Sequence, residues 1–121
     1  MNIAAQIIIG LVAIIHIYIL WLEMFAWTTR GPRVFKGFPK DLFPRTVSLA
    51  ANQGLYNGFL AAGLIWTFFI NDAAWSANVA YFFLGCIMVA GLYGAATAQK
   101  TILFVQTIPA ALGVICVYYG L

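Results

Sequence analysis

The chain has 121 residues, 64% of them hydrophobic and only 7% charged, with a mean hydropathy of +0.98. A soluble domain carries roughly 25% charged residues, so too little polar surface is present to cover a water-facing exterior, and an ordinary soluble fold is excluded. The net charge of +3 does not point to nucleic acid, because five of the six basic residues (Arg30, Arg33, Lys36, Lys40 and Arg45, but not Lys100) fall in one loop between apolar runs; loop charge of this kind is a topology signal.

Four apolar segments follow in chain order. The first covers about residues 3–27, the second 47–70, the third 75–98 and the fourth 101–121. Each is close to the roughly 20 residues needed to cross a bilayer as a helix. The runs are too long and too evenly apolar for barrel strands, which alternate. The expectation is an all-α integral membrane four-helix bundle, one transmembrane domain over residues 1–121. The N-terminus lacks the basic start of a secretory signal, and its apolar run is too long for one, so it is expected to stay as the first span.

The substantial loop is residues 28–46, TTRGPRVFKGFPKDLFPRT, with three prolines and two glycines. Its Val34, Phe35, Phe38, Leu42 and Phe43 fit either an ordered surface loop or a segment dipping into the head-group layer while its basic residues meet phosphates. Lys100 lies in the connection between the third and fourth segments, on the same side as the loop; the connection near residue 72 carries Asp72 and no basic residue. All six basic residues therefore fall on one side. That side is expected to be cytoplasmic and both termini outward, which gives a multi-pass protein of the plasma (cytoplasmic) membrane.

The polar residues inside the spans are unevenly placed. His16 and Glu23 share a stripe on the first helix but stand about 10 Å apart along its axis, at 1.5 Å per residue, so they are not a directly bonded dyad. Counted from the cytoplasmic ends of the spans, Glu23 groups with Asn52, Gln53, Tyr93 and Gln106, and His16 with Asn57 in a deeper layer. Arg30, Arg33 and Arg45 ring the mouth above them. Buried amides are costly in hydrocarbon unless paired, so Asn52, Gln53 and Asn57 act either as ties between helices or as a site. Glu23 is read as a partner for an amide or for Arg45, or as a general base or ligand anchor. His16 is a neutral helix linker or part of a proton relay. A metal site is not expected, for want of a second histidine or a His/Cys/carboxylate cluster. Cys86 and Cys116 lie in apolar runs and are read as inert hydrophobes. The small residues Gly54, Gly58, Ala61, Ala62, Gly91, Gly94 and Gly113 mark close helix contacts.

The stretches HIYILWLEMFAW, NQGLYNGFLAAG, GLYGAAT and QTIPA resemble, across nearly the whole chain, the small bacterial four-helix membrane proteins grouped as a domain of unknown function. That resemblance implies the membrane fold and no activity. In layout the chain is also similar to the membrane-associated eicosanoid and glutathione metabolism family. That similarity implies a trimer with glutathione bound between subunits in the cytoplasmic half. There the second helix begins with Arg, then Asn, then Glu; Arg45 and Asn52 stand in for the first two at a spacing that departs from that pattern, and Tyr56 and Asn57 stand where the acidic residue belongs.

Three functional expectations follow. The first is a polar pocket in the cytoplasmic half that binds, or binds and acts on, an amphipathic molecule with an anionic head group; no cofactor is required, although glutathione or another thiol conjugate fits the layout. The second is a small proton-coupled transporter. The third is a structural or regulatory membrane subunit. Membrane lipid and further copies of the chain are the expected partners.

Overall fold

A computed structural model describes residues 1–120. It is all-helical over those residues. The helices are α1 (Ile3–Phe25), α2 (Gly31–Val34), α3 (Leu42–Arg45), α4 (Val47–Trp66), α5 (Ala73–Thr97) and α6 (Ile108–Tyr119). A 3-10 turn, Thr67–Phe69, closes α4, and a π-helical turn, Leu103–Thr107, runs straight into α6.

The ends of these helices have local causes. Asn2 caps α1, its side-chain oxygen accepting the Ala5 N–H at 2.8 Å, and Asp72 caps α5 in the same way through Trp75 at 3.0 Å. Helix α6 stops at Gly120, whose φ of +68° is the left-handed conformation that ends many helices. The π turn precedes Pro109, and its Ile108 N–H bonds the carbonyl of Leu103, five residues back. Pro109 has no N–H to give, so a widened turn there costs fewer bonds than it would elsewhere.

Helix α1 packs most extensively along α4 and also touches α6, while α5 packs against α6, the π turn and α4. Two glycines let α1 and α4 close up. A Cβ on Gly54 would fall 2.7 Å from Met24 Cγ and 3.1 Å from the Leu20 carbonyl oxygen; one on Gly58 would fall 2.6 Å from Leu20 Cδ1. Asn2 lies beside Gly120, so α1 and α6 run antiparallel, and the residue 26–46 loop lies at the far end from both.

The core sits toward the end that holds the termini. Ile9, Val12, Ala13, Leu64, Ala80, Leu84, Ile87 and Ala110 form it. The exterior is apolar as well. On α1 the exposed residues include Ile3, Ile7, Leu11, Ile14, Tyr18, Trp21 and Phe25, spaced three and four apart along one stripe, with Ile17 beside it and Gln6 the one exposed polar residue of the helix. The buried face of α1 is the one that carries His16 and Glu23. Polarity is thus turned inward, the reverse of a soluble helix. Helices α1 and α5 are long and apolar enough to cross a membrane; α4 falls below that measure, and the Leu103–Tyr119 segment is shorter.

The loop folds on itself. Trp27 leaves the helix after Phe25 and packs its ring at 4.8 Å from Phe43 and 5.6 Å from Phe35, centroid to centroid. Its Nε1 donates to Thr46 Oγ1 at 2.9 Å, and that hydroxyl donates to the Leu42 carbonyl at 2.7 Å. Phe43 is fully buried. Gly31 is required beside it, since a Cβ there would lie 2.9 Å from the Phe43 ring. Phe43 is thus committed to the loop's own core.

Candidate functional site

Two side-chain pairs cross between helices within the bundle. Glu23 on α1 accepts through Oε1 from Asn57 Nδ2 on α4 at 2.8 Å, and the same amide donates to its own helix at the Gln53 carbonyl, 3.1 Å away. Both side chains are nearly buried. The carboxylate's second oxygen has no partner among the described residues, and it is not sealed off from its surroundings.

His16, fully buried on α1, donates from Nδ1 to the Val12 carbonyl at 2.8 Å, while its Nε2 stands 3.1 Å from Gln106 Nε2 in the π turn. A carbonyl only accepts, so Nδ1 carries the hydrogen; Nε2 is then the acceptor for the Gln106 amide. This arrangement fits the neutral Nδ1–H tautomer with both ring nitrogens satisfied.

These partners are exchanged relative to the grouping by depth. By sequence, Glu23 belongs with Asn52, Gln53 and Gln106, and His16 with Asn57; the folded chain joins Glu23 to Asn57 and His16 to Gln106. The reason is register. Gly54 and Gly58 dock on the Leu20–Met24 stretch, which brings Asn57, roughly 15 Å along α4 from Val47 at about 1.5 Å per residue, level with the last turn of α1. On the other side, α1 and α6 align from the end where Asn2 meets Gly120, and antiparallel counting from there sets Gln106 opposite His16.

The remaining predicted residues are elsewhere. Asn52 is exposed and bonds its own helix, Nδ2 to the Ser48 carbonyl at 2.9 Å. Gln53 is exposed, contributing only its carbonyl to Asn57, and Tyr93 is 72% exposed on α5. Arg45 pairs with Asp41 at 3.6 Å on the surface, and Arg33 is exposed. Arg30 turns back along the outer face of α1, its Nε donating to Tyr18 Oη at 3.1 Å. Glu23 lies on the buried side of that helix, so Arg30 and Glu23 are not brought together.

Two ties were missed by sequence. Thr107 Oγ1 donates to the Met88 carbonyl at 3.2 Å, joining the π turn to α5, and Ser76 Oγ donates to the Thr67 carbonyl at 2.8 Å, joining α5 to the end of α4. A hydroxyl beside a proline-distorted turn was the available signal for Thr107. Among the described residues no three of His, Cys, Asp and Glu come together, and both cysteines are free and half-buried. Two surface hollows, of about 330 and 790 Å³, lie along α5 and are lined by Trp66, Trp75 and Phe83 in one and by Gly85, Cys86 and Val89 in the other, away from both polar pairs.

The fold and its polar pairs define an all-helical protein with two helices of membrane-crossing length and a polar seam centred on the first. The chain belongs to the family described as "Protein of unknown function (DUF1304)", whose model matches residues 10–118. It is 35% identical over 108 residues to "Uncharacterized protein YpaA" of Lactococcus lactis subsp. lactis (strain IL1403), covering 88% of this chain and 89% of that protein. No solved structure matches.

Proposed function

We propose that this chain is a multi-pass protein of the cytoplasmic membrane, a four-helix bundle with the 28–46 loop in the cytoplasm and both termini outside. Its site is Glu23 with Asn57 near the cytoplasmic boundary. The apolar exterior of α1, polar only at Gln6 near its start, supports the membrane setting, because only lipid or protein could cover it. The bias of basic residues toward the loop supports the orientation. In that setting Asn52 and Gln53, below Asn57 on α4, fall near head-group level, where exposed amides stay hydrated.

The observation that carries the site is the half-committed carboxylate: one oxygen of Glu23 bonded to Asn57, the other without a partner among the described residues, on the last turn of α1 before the basic loop. Such a group accepts a hydrogen bond from an amine or hydroxyl of an amphipathic molecule whose anionic head lies among the loop's cations. Transport is less well supported, because the apolar core of Ile9, Val12, Leu84 and Ile87 closes the other end of the seam.

Glu23→Gln separates binding from architecture, since the amide keeps an oxygen for Asn57 while losing the charge. Thermal stabilisation of purified protein by lysophosphatidylethanolamine and by S-hexylglutathione is the readout. Stabilisation by either, lost in Glu23→Gln with the unliganded melting temperature unchanged, is the expected result. Stabilisation that survives the substitution, or none with either probe in the wild type, leaves Glu23–Asn57 as a tie between helices in a structural subunit.

A further inference from the structure

We propose that the outer face of α1 carries a binding site for an anionic phospholipid, built from Arg30, Tyr18 and Trp21; it rests on the membrane setting proposed above but not on the Glu23 site. Tyr18 and Trp21 are exposed and lie ring against ring at 5.8 Å on the apolar stripe, with Phe25 one turn beyond. The backbone of Arg30 is anchored at the end of that helix, its N–H bonded to the Ala26 carbonyl at 2.9 Å. Its side chain does not extend into the loop's aqueous surroundings. It turns back toward the bilayer side and bonds Tyr18 Oη at 3.1 Å.

That bond leaves the terminal fork of the guanidinium without a partner among the described residues. No carboxylate serves it: Asp41 is taken by Arg45, Glu23 is buried with Asn57, and Asp72 lies at the other end of the bundle. A guanidinium fork matches the two non-ester oxygens of a phosphodiester. Tyr18, having accepted from Arg30, still has its own O–H to donate to a further phosphate or ester oxygen. Trp21 and Phe25 then flank the head group at the depth where interfacial aromatics settle, and the stripe continues past Tyr18 through Ile14 and Leu11 along the path of the acyl chains. Arg33 follows closely in the loop and disfavours a head group that carries its own ammonium. A phosphodiester with a neutral polyol head fits these requirements.

The experiment is lipid retention by native mass spectrometry of the full chain released from nanodiscs of equal phosphatidylglycerol and phosphatidylcholine. Wild type should keep phosphatidylglycerol preferentially, and Arg30→Gln should lower that preference at least about fivefold. Tyr18→Phe should lower it by less. Lys36→Gln, which removes the same charge from the loop, should leave it nearly intact. Equal losses in Arg30→Gln and Lys36→Gln would mean diffuse charge rather than a site and would overturn the proposal, as would an unchanged preference in Arg30→Gln. Inorganic phosphate displacing the lipid at millimolar concentration would overturn the phospholipid assignment. Failure of the wild type to float with membranes in a density gradient would instead overturn the membrane setting itself.

Discussion

Helices α1 and α5 are both long and apolar enough to cross a membrane, yet they are held by different means. The buried face of α1 carries His16 and Glu23, each tied by a side chain to a different neighbour. The buried face of α5 is Ser76, Ala80, Leu84, Ile87 and Gly91, and its contacts are close backbone approach and two hydroxyl bonds, one of them donated by Thr107 to its carbonyl. Where lipid is the solvent, no hydrophobic effect separates helix from surroundings, so either polar pairing or close packing must supply the difference. Helix α1 uses both, joining its polar pairs to close approach at Gly54 and Gly58, and α5 mainly the second.

The contrast predicts a ranking of substitutions. The largest loss is expected on α5: a Cβ on Gly91 would collide with the Thr107 hydroxyl and lie 2.9 Å from its backbone nitrogen. Gly91→Leu should cost about 3 kcal/mol or prevent folding, read as the melting temperature in detergent or as loss of a monodisperse species. Next, Leu84→Ala opens a cavity in the core against Gly113 and should cost about 2 kcal/mol, the low end of such losses.

Polar pairing on α1 should be weaker. A double-mutant cycle with Glu23→Leu and Asn57→Leu should return a coupling of about 1 kcal/mol, the usual scale for hydrogen bonds between membrane helices. A coupling larger than the Gly91→Leu loss would reverse the contrast between the two helices. The smallest effect sharpens it: Gly85, on the same helix as Gly91, has nothing within 4 Å of a built Cβ, so Gly85→Ala should change stability by less than about 0.5 kcal/mol. Of these two glycines on one helix, only Gly91 faces Thr107, while Gly85 faces open space.

Part of this was legible beforehand. The all-helical class follows from four long apolar runs with no alternation, and membership of a family of unknown function was foreshadowed by the motifs around His16, Asn57, Tyr93 and Pro109. The site residues were legible as types. Glu23, Asn57, His16 and Gln106 are expensive to bury alone, so each had to find a partner. Which partner was not legible. Counting depth from the ends nearest the 28–46 loop treats the helices as starting level, whereas α4 slides along α1 until Gly54 and Gly58 seat on Leu20 and Met24. Asn52 and Tyr93 carry the same chemistry as the residues that paired, but they face outward.

The sequence by itself therefore determined the all-helical class and the set of groups that must be satisfied, because apolar patterning and transfer cost are properties of residues. Only the tertiary structure decided the pairing of Glu23 with Asn57 and of His16 with Gln106, the turn of Arg30 toward Tyr18, and the commitment of Trp27 to the loop core. Those are set by axial register and by close approach at glycines, where a shift of one turn, about 5.4 Å, exceeds the reach of a hydrogen bond.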